Sequence, residues 1–275
     1  MTAFKLGAQL YTLRDYCYTK EGLFDTLSRL ADMGYDGVEL EDVHKVCDPE
    51  DIAAHLKSIG LAVCTTRNLF GRTEFDEAGM LREASLYGSP GMGVGTTNCD
   101  YSVYGLEPGL RAFGALMTKL TEKARALGIN PQYDLHQHEF VRLPGDTEPR
   151  YGFGNVTYPI DIILETTPED FHVAADSWNI RCASLTVPEV LGRLSGRCDI
   201  FRFRDVKVRP NDLMYYTAHL DPCICGEGVF DFGSWIPSLE KAGVSWITLG
   251  QDFCTRDPFE CMKASLQNVK SILGK

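Results

Sequence analysis

The chain of 275 residues has no run of about 18 consecutive apolar residues, so no membrane partner is expected. It also lacks a signal-peptide pattern, since Met1-Thr2-Ala3-Phe4-Lys5 runs straight into a strand-like segment, and a cytoplasmic protein is expected. Positive charge is scarce: 27 Lys and Arg face 38 Asp and Glu, and the net charge of -11 has no local basic run to set against it. Such a surface repels phosphates and anionic lipid, which argues against a nucleic-acid partner. No linker-like tract interrupts the sequence, so one domain over 1–275 is expected. A Gly-x-Gly-x-x-Gly turn after the first strand is missing, and Gly91-x-Gly93-x-Gly95 opens no helix, so no nucleotide cofactor is expected.

Cysteine is plentiful, with ten residues, but its spacing is irregular and a chain of this size builds a core without staples. The thiols are read as reduced and no disulfide is expected. Cys223-x-Cys225 has no second pair or histidine cluster nearby, so it reads as small loop residues before Gly226-Glu227-Gly228 rather than as a metal motif.

What is present is a regular alternation of strand and helix signals. Strands are predicted near Phe4 to Leu10, Gly37 to Leu40, Leu61 to Thr65, Met92 to Val94, Asn130 to Leu135, His172 to Asp176, Asp199 to Phe203 and Trp246 to Leu249. Helices are predicted near Lys20 to Met33, Asp48 to Gly60, Glu77 to Tyr87, Leu106 to Leu127, Ile160 to Glu165, Val187 to Leu194, Phe232 to Ala242 and Pro258 to Leu273. A polar excursion through Pro144-Gly145-Asp146 and Gly152-Phe153-Gly154 separates the fifth strand from its helix. Eight even units, and a length close to the roughly 250 residues of such a fold, point to a single-domain α/β protein, a (β/α)8 TIM barrel.

The apolar runs repeatedly end in polar residues: Gln9 and Tyr11, Glu39, Arg67, Asp134 and His136, Asp176, Arg202 and Arg204, Gln251 and Asp252. Strand ends on one rim of a parallel barrel converge on a single pocket. Glu39, Asp134, His136, Asp176 and Arg202 are therefore expected to line it together. Glu41 and Asp42 read as solvated loop charges. His136, at a strand end, reads as a base or ligand, or else as a loop histidine bonded to a backbone carbonyl; His138 alternates away. Trp178 supplies either an apolar wall for a sugar face or plain core, and Tyr11 and Trp246 share that ambiguity.

Gly7-Ala8-Gln9-Leu10-Tyr11-Thr12-Leu13-Arg14-Asp15, Gly34-Tyr35-Asp36-Gly37-Val38-Glu39-Leu40, His136-Gln137-His138-Glu139-Phe140, Arg204-Asp205-Val206, Gly226-Glu227-Gly228-Val229-Phe230-Asp231-Phe232 and Gln251-Asp252 together resemble the sugar phosphate isomerase/epimerase group of xylose-isomerase-like TIM barrels. The resemblance spans nearly the whole chain. It implies a small carbohydrate substrate and a divalent cation (Mn, Zn or Mg) held at the barrel mouth while a carboxylate moves a proton.

The chain departs from that pattern. Arg202 stands where the resemblance implies a histidine and Gly250 where it implies a glutamate. Neither can ligate a cation through its side chain. Metal ligands are thus reduced to Asp176, Asp134 or His136, and the amide oxygen of Gln251, and weak or absent binding is expected, with Arg202 paired to Asp176. Arg67, Arg202 and Arg204 either offset the carboxylates in place of the metal or grip a substrate anion. Arg204 reads alternatively as outward-facing, although Arg202 and Arg204 share a strand face.

The leading expectation is an isomerase or epimerase acting on a small sugar, sugar acid or sugar phosphate next to a carbonyl. Asp134, His136 and Glu39 are the catalytic candidates, and Gln9, Tyr11, Arg67, Trp178, Arg202 and Arg204 the substrate-binding ones. The alternative is a catalytically silent sugar-binding barrel or partner subunit. An abasic-site endonuclease, a further branch of the same superfamily, is disfavoured by the missing ligands and acidic charge. Homo-oligomerisation is left open.

Overall fold

A computed structural model describes residues 4–67, 76–95, 106–141, 157–194, 196–210 and 218–275. The excursion through Pro144 and Gly154 lies outside the described residues, as does Cys99. The strands are β1 Lys5–Gln9, β2 Gly37–Glu41, β3 Ala62–Arg67, β4 Gly91–Val94, β5 Asn130–Asp134, β6 His172–Asp176, β7 Ile200–Phe203, β8 Asp205–Pro210, β9 Ala218–Cys223 and β10 Trp246–Leu249. The helices are α1 Lys20–Met33, α2 Pro49–Ile59, α3 Glu77–Leu86, α4 Leu106–Arg125, α5 Pro159–Thr166, α6 Ser177–Cys182, α7 Val187–Leu194, α8 Phe232–Lys241 and α9 Pro258–Ile272. Eight parallel strands close in the order β1-β10-β7-β6-β5-β4-β3-β2. The protein is a single-domain TIM barrel.

Local chemistry explains the frame. Thr19 caps α1 by accepting from the Gly22 N–H at 3.1 Å, and Gly34 ends it at a φ of 89°. Leu23, Leu27 and Leu30 recur on the buried face between those signals. The other helices likewise lay an apolar stripe on the outside of the barrel, with Ile52 and Leu56 on α2 and Phe259, Met262, Leu266 and Val269 on α9.

The barrel interior is layered. At the amino-terminal end Cys64, Ala174, Ile200 and Trp246 form a separate apolar plug, which places Trp246 in the core, far from the mouth. One pleat higher the lining turns polar, because alternate residues share a face and Arg202 follows Ile200 while Thr248 follows Trp246. On β3 the pairing with β2 shifts register between Val38 and Glu39, so that Glu39 lies opposite Thr65 and Glu41 opposite Arg67. Plain alternation from inward-facing Cys64 would bring Thr66 inward next; the bulge resets the parity and turns Arg67 into the barrel. Gly93 of β4 makes room for it. A Cβ on Gly93 would lie 2.9 Å from Arg67 Cγ and 2.7 Å from the Thr66 carbonyl oxygen.

Two elements were not legible as such. After β7 the chain makes an antiparallel hairpin, β8 with β9, outside the barrel, so the described strands number ten rather than the expected eight. Directly after β6 it turns into α6, started by Asp176, whose carboxylate accepts from the Asn179 N–H at 2.6 Å. The nine described cysteines are free thiols, and among the described residues no helix is long and apolar enough to cross a membrane.

Candidate functional site at the barrel mouth

The carboxyl-terminal ends of the strands carry two tiers of polar side chains. The lower tier is an ionic cluster closed to solvent. Glu39 on β2 is fully buried, and Asp134 on β5 and Arg202 on β7 are each 2% exposed. Arg202 Nε donates to both Glu39 oxygens at 3.0 and 2.9 Å, and its Nη1 donates to Asp134 Oδ1 at 2.6 Å. Arg67 Nη1 donates to Glu39 Oε1 at 3.2 Å, its Nη2 donates to Asp134 Oδ2, and Thr248 Oγ1 donates to Glu39 Oε2 at 3.2 Å. Burial works against ionising Glu39 and Asp134, but the two guanidiniums overcome it and hold both below their ordinary values, Asp134 well below. Burial likewise works against charge on Arg67 and Arg202, and the carboxylates more than restore it.

Arg202 was expected to pair with Asp176, and it does not: on its strand face it reaches across the barrel to Glu39 and Asp134. Both Asp176 oxygens are taken by Asn179, through the backbone N–H at 2.6 Å and Nδ2 at 2.6 Å, because Asp176 is the cap of α6. Arg204 faces the mouth, with Nη1 at 3.6 Å from Asp176 Oδ2 and Nη2 on Asp252 Oδ1.

Above this cluster a cavity of about 270 Å³ is lined by Gln9, Tyr11, Glu41, Arg67, His136, Gln137, Trp178, Asn179, Arg204 and Asp252. Six expected residues thus meet at its wall: Gln9, Tyr11, Arg67, His136, Trp178 and Arg204. Glu39, Asp134 and Arg202 lie in the cluster that includes Arg67 of its lining. Asp176 is joined to the lining residues Asn179 and Arg204. Gln251 is buried beside it, its amide donating to the Phe253 carbonyl at 3.0 Å and contacting Cys254 Sγ at 2.9 Å.

His136 follows β5 and has Nδ1 3.0 Å from the Asp134 carbonyl oxygen, the backbone contact weighed for it in the sequence, while its ring lines the cavity. His138 stacks on the His136 ring at 5.4 Å and has Nε2 2.8 Å from Glu139 Oε1, and this hydrogen bond, with the carboxylate charge behind it, raises the imidazole above its ordinary value. Among the described residues His136, His138 and Glu139 bring ligand-type atoms within 4.8 Å of one another. The oxygens of fully buried Glu139 are also occupied, by Tyr133 OH at 2.7 Å and the His136 N–H at 2.7 Å.

Asp252, named among the polar strand ends but given no role, lines the cavity; sequence reasoning missed Gln137 and Asn179 as lining residues, and it misplaced Glu41. Rather than a solvated loop charge, Glu41 is the last residue of β2, with its side chain 7% exposed. Its signal was available: Glu39 and Glu41 are two residues apart on one strand and therefore share a face.

No family model matches the chain, and no curated protein matches it. Solved structures do. A sugar phosphate isomerase/epimerase from Parabacteroides distasonis ATCC 8503 superposes with a TM-score of 0.74 at 16% identity, over 98% of this chain and 97% of that one. An IolI protein with a bound zinc atom gives 0.71 at 14% identity, over 98% of each chain. A 3-keto-D-glucoside 4-epimerase from E. coli gives 0.66 at 15% identity, over 98% of this chain and 100% of that one. Over nearly its whole length this chain has the fold of the sugar phosphate isomerase/epimerase and xylose-isomerase-like TIM barrels.

Proposed function

We propose that the protein is a sugar isomerase or epimerase that moves a proton next to the carbonyl of a small, uncharged sugar and works without a resident divalent cation. The observation that carries this reading is the pair of guanidiniums in the lower tier. Arg67 and Arg202 occupy the oxygens of Glu39 and Asp134 with charge-assisted hydrogen bonds. A cation placed there would have to displace them and sit beside two positive charges in a low-dielectric interior. Gly250 adds no donor, and a Cβ at that position would lie 2.3 Å from Gln9 Oε1, so the space a longer side chain needs is filled. The donor set does not fit a divalent ion.

The same pairing supports an uncharged substrate. Arg67 and Arg202 are balanced in charge by Glu39 and Asp134, and Arg204 by Asp176 and Asp252, so no guanidinium leaves a net positive charge for a phosphate or carboxylate. Tyr11 and Trp178 offer aromatic surface and Gln9, Gln137 and Asn179 offer amides, a lining suited to hydroxyls on an apolar ring face. The cavity is small against the roughly 300–1,000 Å³ typical of drug-sized ligands, as a monosaccharide requires.

The test is incubation of chelator-treated protein with a panel of aldoses and ketoses in deuterated water, followed by NMR. Exchange of the C–H beside the carbonyl, unchanged by added manganese or zinc, is expected. A second reading, a silent sugar-binding barrel, is favoured by the internal commitment of every oxygen of Glu39, Asp134 and Asp176. Calorimetric sugar binding with no exchange across the panel would establish it instead.

A further inference from the structure

Among the carboxylates that line the mouth cavity, Glu41 and Asp252, only Glu41 has both oxygens buried without a hydrogen-bond donor among the described residues. Asp252 is held by Arg204. Glu41 also lines a second cavity of about 250 Å³, with Tyr11, Arg14, Tyr18, Lys45 and Val46 around it, so Glu41 and Tyr11 are a wall common to both spaces. A buried carboxylate whose oxygens accept no hydrogen bond is costly, and such groups persist where they have a task. The ion-pair partner of Glu41 is Arg67, whose Nη1 lies 3.6 Å from Glu41 Oε2, too far for a hydrogen bond. The Nε–H of the same guanidinium is buried and has no acceptor among the described residues. Both residues line the mouth cavity, so an unpaired acceptor and an unpaired donor lie together just beneath one stretch of its wall.

We infer that Glu41 is the catalytic residue that carries the proton, with Arg67 as the donor that holds the developing oxyanion. This inference rests on the proton-transfer reading above. A Glu41 oxygen takes the proton from the hydroxyl-bearing carbon next to the carbonyl. The C–H electron pair forms the C=C bond of an enediolate, and the carbonyl π pair moves onto its oxygen beside Arg67. The Glu41 carboxylic acid then returns the proton to the former carbonyl carbon, while the hydroxyl proton passes from the second oxygen to the first. A single carboxylate delivers the proton to the face it came from, which makes the reaction an aldose–ketose interconversion rather than an inversion at one centre.

The electrostatics agree with the geometry. Burial pushes the Glu41 carboxyl up to about 7, with Glu39 and Asp134 adding to the rise and Arg67 and Arg202 opposing it. A carboxyl in that range exchanges protons readily near neutral pH. The other charged groups of the two cavities are Arg14, Asp42 and Lys45 on one side and His136, Arg204 and Asp252 on the other. Lys45 is paired to Asp42 at 2.8 Å, and Arg14 Nη1 donates to the Tyr11 and Asp252 carbonyl oxygens at 2.8 and 3.1 Å.

The experiment takes the aldose or ketose that shows exchange with the wild type and compares wild type, Glu41→Gln and Glu41→Asp. Because Glu41 accepts no hydrogen bond, glutamine breaks none and removes only the 3.6 Å ion pair with Arg67. Expected are a loss of roughly 100-fold or more in kcat for Glu41→Gln with sugar affinity within about threefold, and partial retention in Glu41→Asp. Wild-type kcat/KM should rise with pH to a plateau, and this limb should vanish in Glu41→Gln. With an aldose deuterated at the carbon beside the carbonyl, part of the label should reappear on the neighbouring carbon of the ketose. Wild-type exchange that Glu41→Gln leaves intact, or a variant that loses affinity alone, would overturn the role of Glu41 while leaving the proposed function standing. Absence of exchange in the wild type would overturn both.

Discussion

Glu39 and Glu41 sit two residues apart on β2, on one face of one strand, and they live in opposite electrical surroundings. Glu39 accepts from Arg67, Arg202 and Thr248 and is held below its ordinary pKa by guanidinium charge that outweighs its burial. Glu41, one layer closer to solvent, accepts from nothing among the described residues, and burial pushes it up to about 7. The difference separates two uses of a buried carboxylate. A saturated one is part of the frame, because its charge is fixed and its lone pairs are taken. An unsaturated one facing a cavity has lone pairs to offer and a proton it can exchange.

The sharpest way to break this comparison is to remove the cation of the lower tier. Arg202→Met leaves Glu39 and Asp134 buried with only Arg67 between them. Destabilisation of about 3–5 kcal/mol is expected in urea unfolding, the usual cost of orphaning one side of a buried pair. The double variant Glu39→Gln/Arg202→Met should cost clearly less than the sum of its single changes, since each removes the other's penalty. Additivity would mean that the cluster is not electrostatically coupled.

Glu41 should show the opposite sign. Its carboxyl holds its proton more tightly folded than unfolded, so the stability this contributes is present below about pH 4.5 and is lost as pH rises through about 7. Glu41→Gln removes that loss. Relative to wild type the variant should therefore gain stability between pH 4 and pH 8, by on the order of 3 kcal/mol at about 1.4 kcal/mol for each tenfold step in acid constant. Parallel stability curves across that range would show Glu41 to be an ordinary exposed acid.

Asp176 gives a smaller effect from the saturated side. It caps α6 and holds Asn179, so Asp176→Ala should cost about 1 kcal/mol or somewhat more. Sugar affinity should fall with it, because Asn179 and Trp178 are the cavity wall that α6 presents. Unchanged affinity would separate the cap from the site.

The barrel was legible because its eight strands and flanking helices obey local rules: apolar periodicity, glycine stops such as Gly34 and Gly60, and polar residues at strand ends. The β8–β9 hairpin was not, because Val206 and Val208 alternate over a segment too short and too polar to distinguish from a loop, and its partner strand begins beyond residues that carry no pairing signal. Asp205 gives that region its shape by accepting from the Gly226 and Gly228 N–H groups at 2.9 Å each and from Phe230 at 3.3 Å, so the Arg204-Asp205-Val206 and Gly226-Glu227-Gly228 motifs are two halves of one structural clasp. Of the site, the positions at strand ends were legible and the pairings were not. Which carboxylate an arginine chooses depends on how far across the barrel its chain reaches, and on the β3 bulge that turned Arg67 inward. The sequence reports neither. Glu41 was misread because a polar residue after Glu39-Leu40 looks like the start of a loop, although its two-residue spacing from Glu39 puts it on the same face if the strand runs one residue further, as it does.

The smallest expected effect is a null one, and it bears on the lower tier alone. The side chain at position 202 was an arginine where the family resemblance implied a histidine, which makes Arg202→His the obvious attempt to restore a cation site. The structure shows why that exchange is insufficient. Arg67 Nη2 would still hold Asp134 and Nη1 would still hold Glu39, so the freed carboxylate oxygens keep a positive neighbour. Asp176 remains committed to Asn179, and Gly250 still contributes no ligand, with Gln9 packed where a side chain would have to pass. An imidazole with one or two partly occupied carboxylates falls short of the four ligands that a zinc site needs and the six that manganese prefers. Calorimetric titration of manganese or zinc into Arg202→His should therefore give no micromolar binding at the barrel mouth, and the wild type none there either. A weak zinc event that persists in both and disappears with His138→Ala would locate binding at His136, His138 and Glu139 instead. Micromolar binding that appears only in Arg202→His would mean that this one guanidinium, rather than the whole paired cluster, sets the cation affinity of the mouth, and the contrast between the two glutamates of β2 would then rest on a single side chain.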